Sequence, residues 1–184
     1  MFSAIANHKC ALAIRLLREG ADPNCKPSGR GFSPLHWAVF ERNAPLVRAL
    51  IGRGANINDP GEGYSPLLMA LSNAQFDLAT LLVNAGADVN QADDVGFTPL
   101  MHAVLHGKLP LLSFLLEAGA DVNARDKRGN SALLLAALHR KKRVMKALLE
   151  AGANPRVSNN DRISFSRAIS GKPLPVWARR SAAA

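Results

Sequence analysis

Gly31-Phe32-Ser33-Pro34-Leu35-His36-Trp37-Ala38 is the stretch on which the fold turns, because its frame returns as Gly63-Tyr64-Ser65-Pro66-Leu67 and as Gly96-Phe97-Thr98-Pro99-Leu100. Each copy places a hydroxyl residue where it can accept from the orphan N–H groups of a helix start, and a proline at the first helical position, where no N–H is missed. The hydroxyl series Ser33, Ser65, Thr98 and Ser131 advances by 32, 33 and 33 residues, with Ser164 another 33 on. Gly-Ala pairs beginning at Gly20, Gly54, Gly86, Gly119 and Gly152 advance by 34, 32, 33 and 33, each after an apolar pair such as Leu16-Leu17 or Leu148-Leu149. Two markers keeping one period in phase define a repeat. Between them lie a short apolar segment, such as Leu35 to Phe40 or Leu100 to Leu105, a polar break, and a second apolar-periodic segment ending at Gly-Ala. A glycine just past the last leucine suits a left-handed helix cap. The unit therefore reads as helix, tight turn, helix, then a connector of roughly ten residues.

These segments, together with Leu115-Leu116-Glu117-Ala118-Gly119-Ala120-Asp121-Val122-Asn123, resemble the ankyrin repeat over nearly the whole chain. The resemblance implies an all-α solenoid of stacked helix-turn-helix units whose connectors project as β-hairpin fingers. In this frame 1–184 is a single repeat domain, with an N-terminal capping repeat at 1–30 and central repeats at 31–62, 63–95, 96–128 and 129–161. A partial repeat and tail fill 162–184. In the first unit Ala4 stands in the place of Ala38, and Leu12, Leu16 and Leu17 form the core side of the second helix. After Asn154 one helix is expected around 164–169; Gly171, Pro173 and Pro175 oppose another, and Trp177 is the candidate to close the core.

Departures from the family pattern are local. From the last glycine of one unit to the opening glycine of the next the steps are 11, 9, 10 and 10, so the first finger is long and the second short, with Asp59-Pro60-Gly61 at its tip. Only His36 keeps the family's helix-start histidine; Leu68, Met101 and Leu134 replace it. Ala132 replaces the helix-start proline, which predicts a less rigid helix entry there.

Composition sets the outer bounds. At 184 residues, with 48% apolar and 20% charged side chains, the chain is close to globular averages, which excludes disordered and collagenous classes. The richest apolar run, Leu109 to Leu116, is broken by Pro110 and Ser113 and is far short of a membrane span. Met1 to Leu17 lacks the pattern of a secretory signal, and Cys10 and Cys25 are too few for a disulfide framework, so free thiols in a reducing compartment are expected. The expected location is cytoplasmic, with a secreted effector acting in a host cell as the alternative. The net charge of +9 is unevenly held: residues 1–124 carry 9 Lys/Arg against 11 Asp/Glu, and residues 125–184 carry 14 against 3. Any anionic partner is therefore to be sought at the C-terminal end.

No catalytic template fits. Gly29-Arg30-Gly31 begins a dinucleotide pattern, but Pro34 takes the third glycine's place, and Gly107-Lys108 and Gly171-Lys172 lack the earlier glycine of a phosphate loop. His8, His36, His102, His106 and His139 are scattered without a metal-ligand spacing, and no serine sits in a nucleophile elbow. Asp22, Asp88 and Asp121 recur after Gly-Ala, one repeat or more apart, and read as connector geometry. The expectation is a non-enzyme with no catalytic residues, no cofactor and no metal.

The resemblance implies instead a binding module that meets a protein partner through its concave face of connectors and inner helices, most simply as a monomer. Carried over by position, the contact residues are Arg30, Phe32, Phe40 and Glu41; Glu62, Tyr64, Ser72 and Asn73; Asp94, Val95, Phe97, Leu105 and His106; and Lys127, Arg128, Asn130, Leu138 and His139. Phe32, Tyr64 and Phe97 hold one equivalent position in three successive repeats, either as partner anchors or as shields of the connector base. A basic run, Arg140, Lys141, Lys142 and Arg143 with Lys146 one turn on, falls at a helix–helix turn near Arg162, Arg167, Lys172, Arg179 and Arg180. Its alternative function is anion binding, to nucleic acid, acidic membrane or acidic protein, and its bland reading is a solvated turn.

Overall fold

A computed structural model describes residues 10–26 and 31–170. Arg30, His8, Ala4, Trp177 and the basic residues Lys172, Arg179 and Arg180 lie outside them. The chain forms two compact units, 1–94 and 95–184. Among the described residues of the first are α1 (Cys10–Arg18), α2 (Pro34–Phe40), α3 (Ala44–Gly52), α4 (Pro66–Ser72) and α5 (Phe76–Asn84). The second holds α6 (Pro99–His106), α7 (Leu109–Glu117), α8 (Ala132–Leu138), α9 (Lys142–Glu150) and α10 (Phe165–Ile169).

The helices begin where the hydroxyl series places them. Ser65 and Ser131 accept from Leu68 and Leu134 N–H, each at 3.3 Å, and Thr98 and Ser164 cap α6 and α10 in the same way. Ala132 therefore leaves the start of α8 capped like that of α4, since the cap bond comes from the serine and does not need the proline. The second helices end at the Gly-Ala pairs: Gly54 and Gly119 have φ of 82° and 90°, and Ala55 and Ala120 donate back to Leu50 and Leu115. That reversal satisfies carbonyls the helix would otherwise leave bare.

Within the first unit α2 packs on α3 and α4, α4 on α5, and α1 on α3. Leu35, Ala38 and Val39 of α2 and Leu46, Val47 and Leu50 of α3 are fully buried, as are Leu68, Ala70 and Leu71 of α4. One expectation needs correcting at α1. Ala13 and Leu17, four residues apart on one face, are buried, whereas Leu12 is 41% exposed, because only one stripe of this short helix meets α3.

The second unit repeats the scheme, with α6 against α7 and α8, α8 against α9 and α10, and α9 against α7. At its end Leu134 and Ile163 form a buried cluster covered by Leu138 and Ala168. The connectors are turns, and antiparallel pairing among the described residues is confined to two isolated bridges, Arg125 with Ser131 and Ser158 with Ser164. The expected β-hairpin fingers are therefore not confirmed: among the described residues the connectors are turn-built loops without paired strands.

Candidate functional site

A buried histidine organises the second connector. Ser33 N–H donates to His36 Nδ1 at 3.2 Å, and Ser33 Oγ lies 2.8 Å from the same nitrogen. His36 Nε2 is 2.8 Å from the carbonyl oxygen of Tyr64, so the neutral ring with its proton on Nε2 satisfies every contact. Burial holds its pKa below the ordinary histidine value against the pull of Tyr64 and Asp59. Asp59, expected at a connector tip, is instead 4% exposed and accepts from Lys26 Nζ at 2.7 Å and Gly61 N–H at 3.0 Å. Burial alone would raise its carboxyl, but the Lys26 ammonium and the Gly61 N–H hold it below the usual carboxylate range.

The aspartates after Gly-Ala close local turns: Asp22, Asp88 and Asp121 accept from Asn24, Asn90 and Asn123 N–H. Connector asparagines then bind the neighbouring connector within their own unit. Asn24 accepts from Asn56 N–H at 2.7 Å, Asn58 from Asp88 N–H at 2.8 Å, and Asn123 from Asn154 N–H at 2.8 Å. These carboxylates are therefore structural, as their spacing implies.

In the first unit the predicted contact residues fall into three settings. Phe32 is half-buried, its ring 5.2 Å from that of His36, and Phe40 is 56% exposed, with its ring edge-on to Trp37 at 6.0 Å. With His36, Trp37 and Met69 these two line a cavity of about 130 Å³. Glu41 caps α2, and Ser72 and Asn73 lie exposed at the end of α4. Tyr64 is half-buried, and Glu62 and Asp94 are exposed.

In the second unit Phe97 is half-buried, edge-on to His102 at 5.3 Å, and Val95 is 60% exposed while its carbonyl accepts from Lys127 N–H. Leu105 is half-buried and His106 exposed at the end of α6. Lys127 and Arg128 are exposed, with backbone carbonyls that accept from Asn160. Asn130, at the position of the three aromatics, is buried: its Nδ2 donates to Asp126 Oδ2 at 2.8 Å and its Oδ1 accepts from Asn159 Nδ2 at 2.9 Å. Leu138 covers the Leu134–Ile163 cluster, and His139 is half-buried at the end of α8, its pKa lowered by burial and by Lys141.

The basic run lies at the turn between α8 and α9. Arg140, Lys142, Arg143 and Lys146 are exposed and Lys141 is half-buried. Lys146 lies 3.7 Å from Glu150 in an exposed pair of little energetic weight.

The structure adds Trp37 and Met69 to the aromatic site, residues the sequence analysis did not single out. The usable signal was the spacing of Trp37 and Phe40, which places both on one side of a helix. Among the described residues no group of three or more His, Cys, Asp or Glu could hold a metal ion. No described helix is long and apolar enough to cross a membrane.

A family model described as ankyrin repeats in three copies matches residues 1–93 and 90–159. No curated protein matches the chain significantly.

Proposed function

Because the chain belongs to the ankyrin repeat family, we propose that it acts as a non-catalytic module that binds a protein partner through its connectors and the exposed sides of its first helices. Ankyrin repeats are generally protein–protein interaction modules, and the family is typically non-enzymatic. The observation that carries the reading here is Phe40, a large aromatic left 56% exposed beside Trp37 and Phe32 on helices whose opposite sides are fully buried. Exposed aromatics set in a preformed surface make efficient anchors, since little side-chain freedom is lost on binding.

The test is an affinity pull-down from nuclease-treated native lysate at about 150 mM and about 500 mM salt, comparing the wild type with a Phe32→Ser, Tyr64→Ser, Phe97→Ser variant. A protein retained by the wild type at high salt and lost by the folded variant supports the module. The exposed run Arg140, Lys142 and Arg143 favours a second reading, binding of an anionic surface. Retention only at low salt, equal for both proteins, is the result that reading expects.

A further inference from the structure

The cavity of about 130 Å³ in the first unit is walled by Phe32, His36, Trp37, Phe40 and Met69, a lining with no carboxylate, ammonium or guanidinium. Trp37 and Phe40 meet at 76°, which forms a corner of two nearly perpendicular ring faces, and Phe32 lies tilted by 38° on His36. The imidazole is kept neutral by its burial, so it brings no positive charge to the lining.

The connector beside the cavity carries one exposed carboxylate, Glu62. A Cβ on Gly61 would lie 2.9 Å from His36 Nε2 and 3.0 Å from Phe32 Cδ1, so the connector presses directly on the cavity wall. Glu62 follows Gly61, is exposed, and places Oε1 3.6 Å from where Gly31, the neighbour of Phe32, would carry a Cβ. Residues 31–94 hold 3 Lys/Arg against 7 Asp/Glu. Lys26, whose charge reaches His36, is already paired with Asp59.

We propose that this cavity seats one arginine or lysine side chain from a basic segment of the protein partner, its stem against Phe40, Trp37 and Met69 and its charged head toward Glu62. The proposal rests on the interaction-module reading and specifies the partner's chemistry. A purely apolar plug would use the ring faces but would leave the exposed Glu62 carboxylate beside the cavity without a partner from the ligand. A long cationic side chain uses both features, since its methylenes pack on apolar walls while the cation is attracted to ring faces and to the carboxylate.

The experiment uses the full chain carrying Trp177→Phe, which leaves Trp37 as its single tryptophan. Blocked heptapeptides Gly-Ser-Gly-X-Gly-Ser-Gly, with X arginine, lysine or norleucine, are titrated at about 150 mM salt while Trp37 fluorescence is followed. Arginine and lysine peptides are expected to bind about fivefold or more tightly than the norleucine peptide. Phe40→Ala, which leaves every charge in place, and Glu62→Gln, which leaves every ring in place, should each weaken binding about threefold or more. Equal or tighter binding of norleucine, or cation binding untouched by Phe40→Ala, overturns the proposal. Peptide failure with a partner still lost by the triple-serine variant would sink the cavity assignment and leave the binding face standing. Cation-selective peptide binding with no protein retained from lysate would sink the module reading and leave the cavity chemistry intact.

Discussion

Replacing Ala74 by glycine should stabilise the protein, and replacing Gly107 by alanine should destabilise it by a similar amount. Both residues sit at the turn after the first helix of a pair, Ala74 with φ of 55° and Gly107 with φ of 68°. At Ala74 the helix closes by the same reversal used at Gly-Ala, with Ala74 N–H donating to Leu71 and Gln75 N–H to Ala70 at 2.8 Å. An L-residue in the left-handed region costs about 1–2 kcal/mol. Glycine gives back about 0.5–1 kcal/mol through the freedom it loses on folding. The net gain for Ala74→Gly is therefore about 0.5–1 kcal/mol. At Gly107 a new Cβ would meet only the end of the Lys141 side chain, at 3.1 Å, which is free to move aside, so the backbone term decides there too. Urea unfolding followed by circular dichroism is the assay; with a slope of about 2 kcal/mol per M, midpoints should move about 0.3–0.5 M in opposite directions. Shifts of the same sign in the two variants would refute the reasoning, because they would show that contacts and not φ set the cost.

Three further outcomes are expected. Asn130→Ala strands Asp126 Oδ2 and Asn159 Nδ2 in a buried site and should cost about 2–3 kcal/mol, read by urea unfolding and by faster exchange of the Ile163 amide, which donates to Asn159. The pKa of His36 is lowered in the fold, so the unfolded chain binds its proton more readily and stability should be full above pH 6.5 and fall as pH drops below it. His139 has the same sign, and His36→Leu should therefore reduce but not abolish the stability difference between about pH 7.5 and about pH 5.5. Lys142→Glu combined with Arg143→Glu should leave fold and high-salt partner retention unchanged in the pull-down; loss of retention would move the binding function to the basic turn.

Most of the helical frame was legible because a helix start and a helix end each leave a chemical mark. Ser65, Thr98, Ser131 and Ser164 all cap the helices they were read to begin. The second helices end at Gly-Ala because that reversal needs positive φ. The first helices end in the same reversal at Arg42, Ala74 and Arg140, where no glycine announces it, and the sequence marked only a polar break. Leu12 was misplaced because a nine-residue helix with apolar residues on several sides has more than one candidate stripe. The cavity escaped notice because its walls come from residues far apart in sequence, Phe32 and Met69 among them, and no periodic pattern reports a gap between side chains.

The position after each opening connector glycine shows how one slot can serve either fold or surface. Phe32 and Phe97 lie with their rings against histidines, while Asn130 is sunk in a polar chain. The difference follows from how the nearby buried acid is satisfied. Asp59 receives the Lys26 ammonium from the preceding connector, so nothing polar is demanded of residues 32 and 64. Asp126 accepts from both the backbone and the side chain of Asn130, and Asn130 also ties Asn159. A buried carboxylate must be paired, and pairing it within its own connector consumes the slot that an aromatic would otherwise hold. The aromatic rings available to a partner are accordingly concentrated in residues 31–94, the stretch that also carries the excess of acid. That coincidence of rings and carboxylates is the physical basis for expecting a basic partner there.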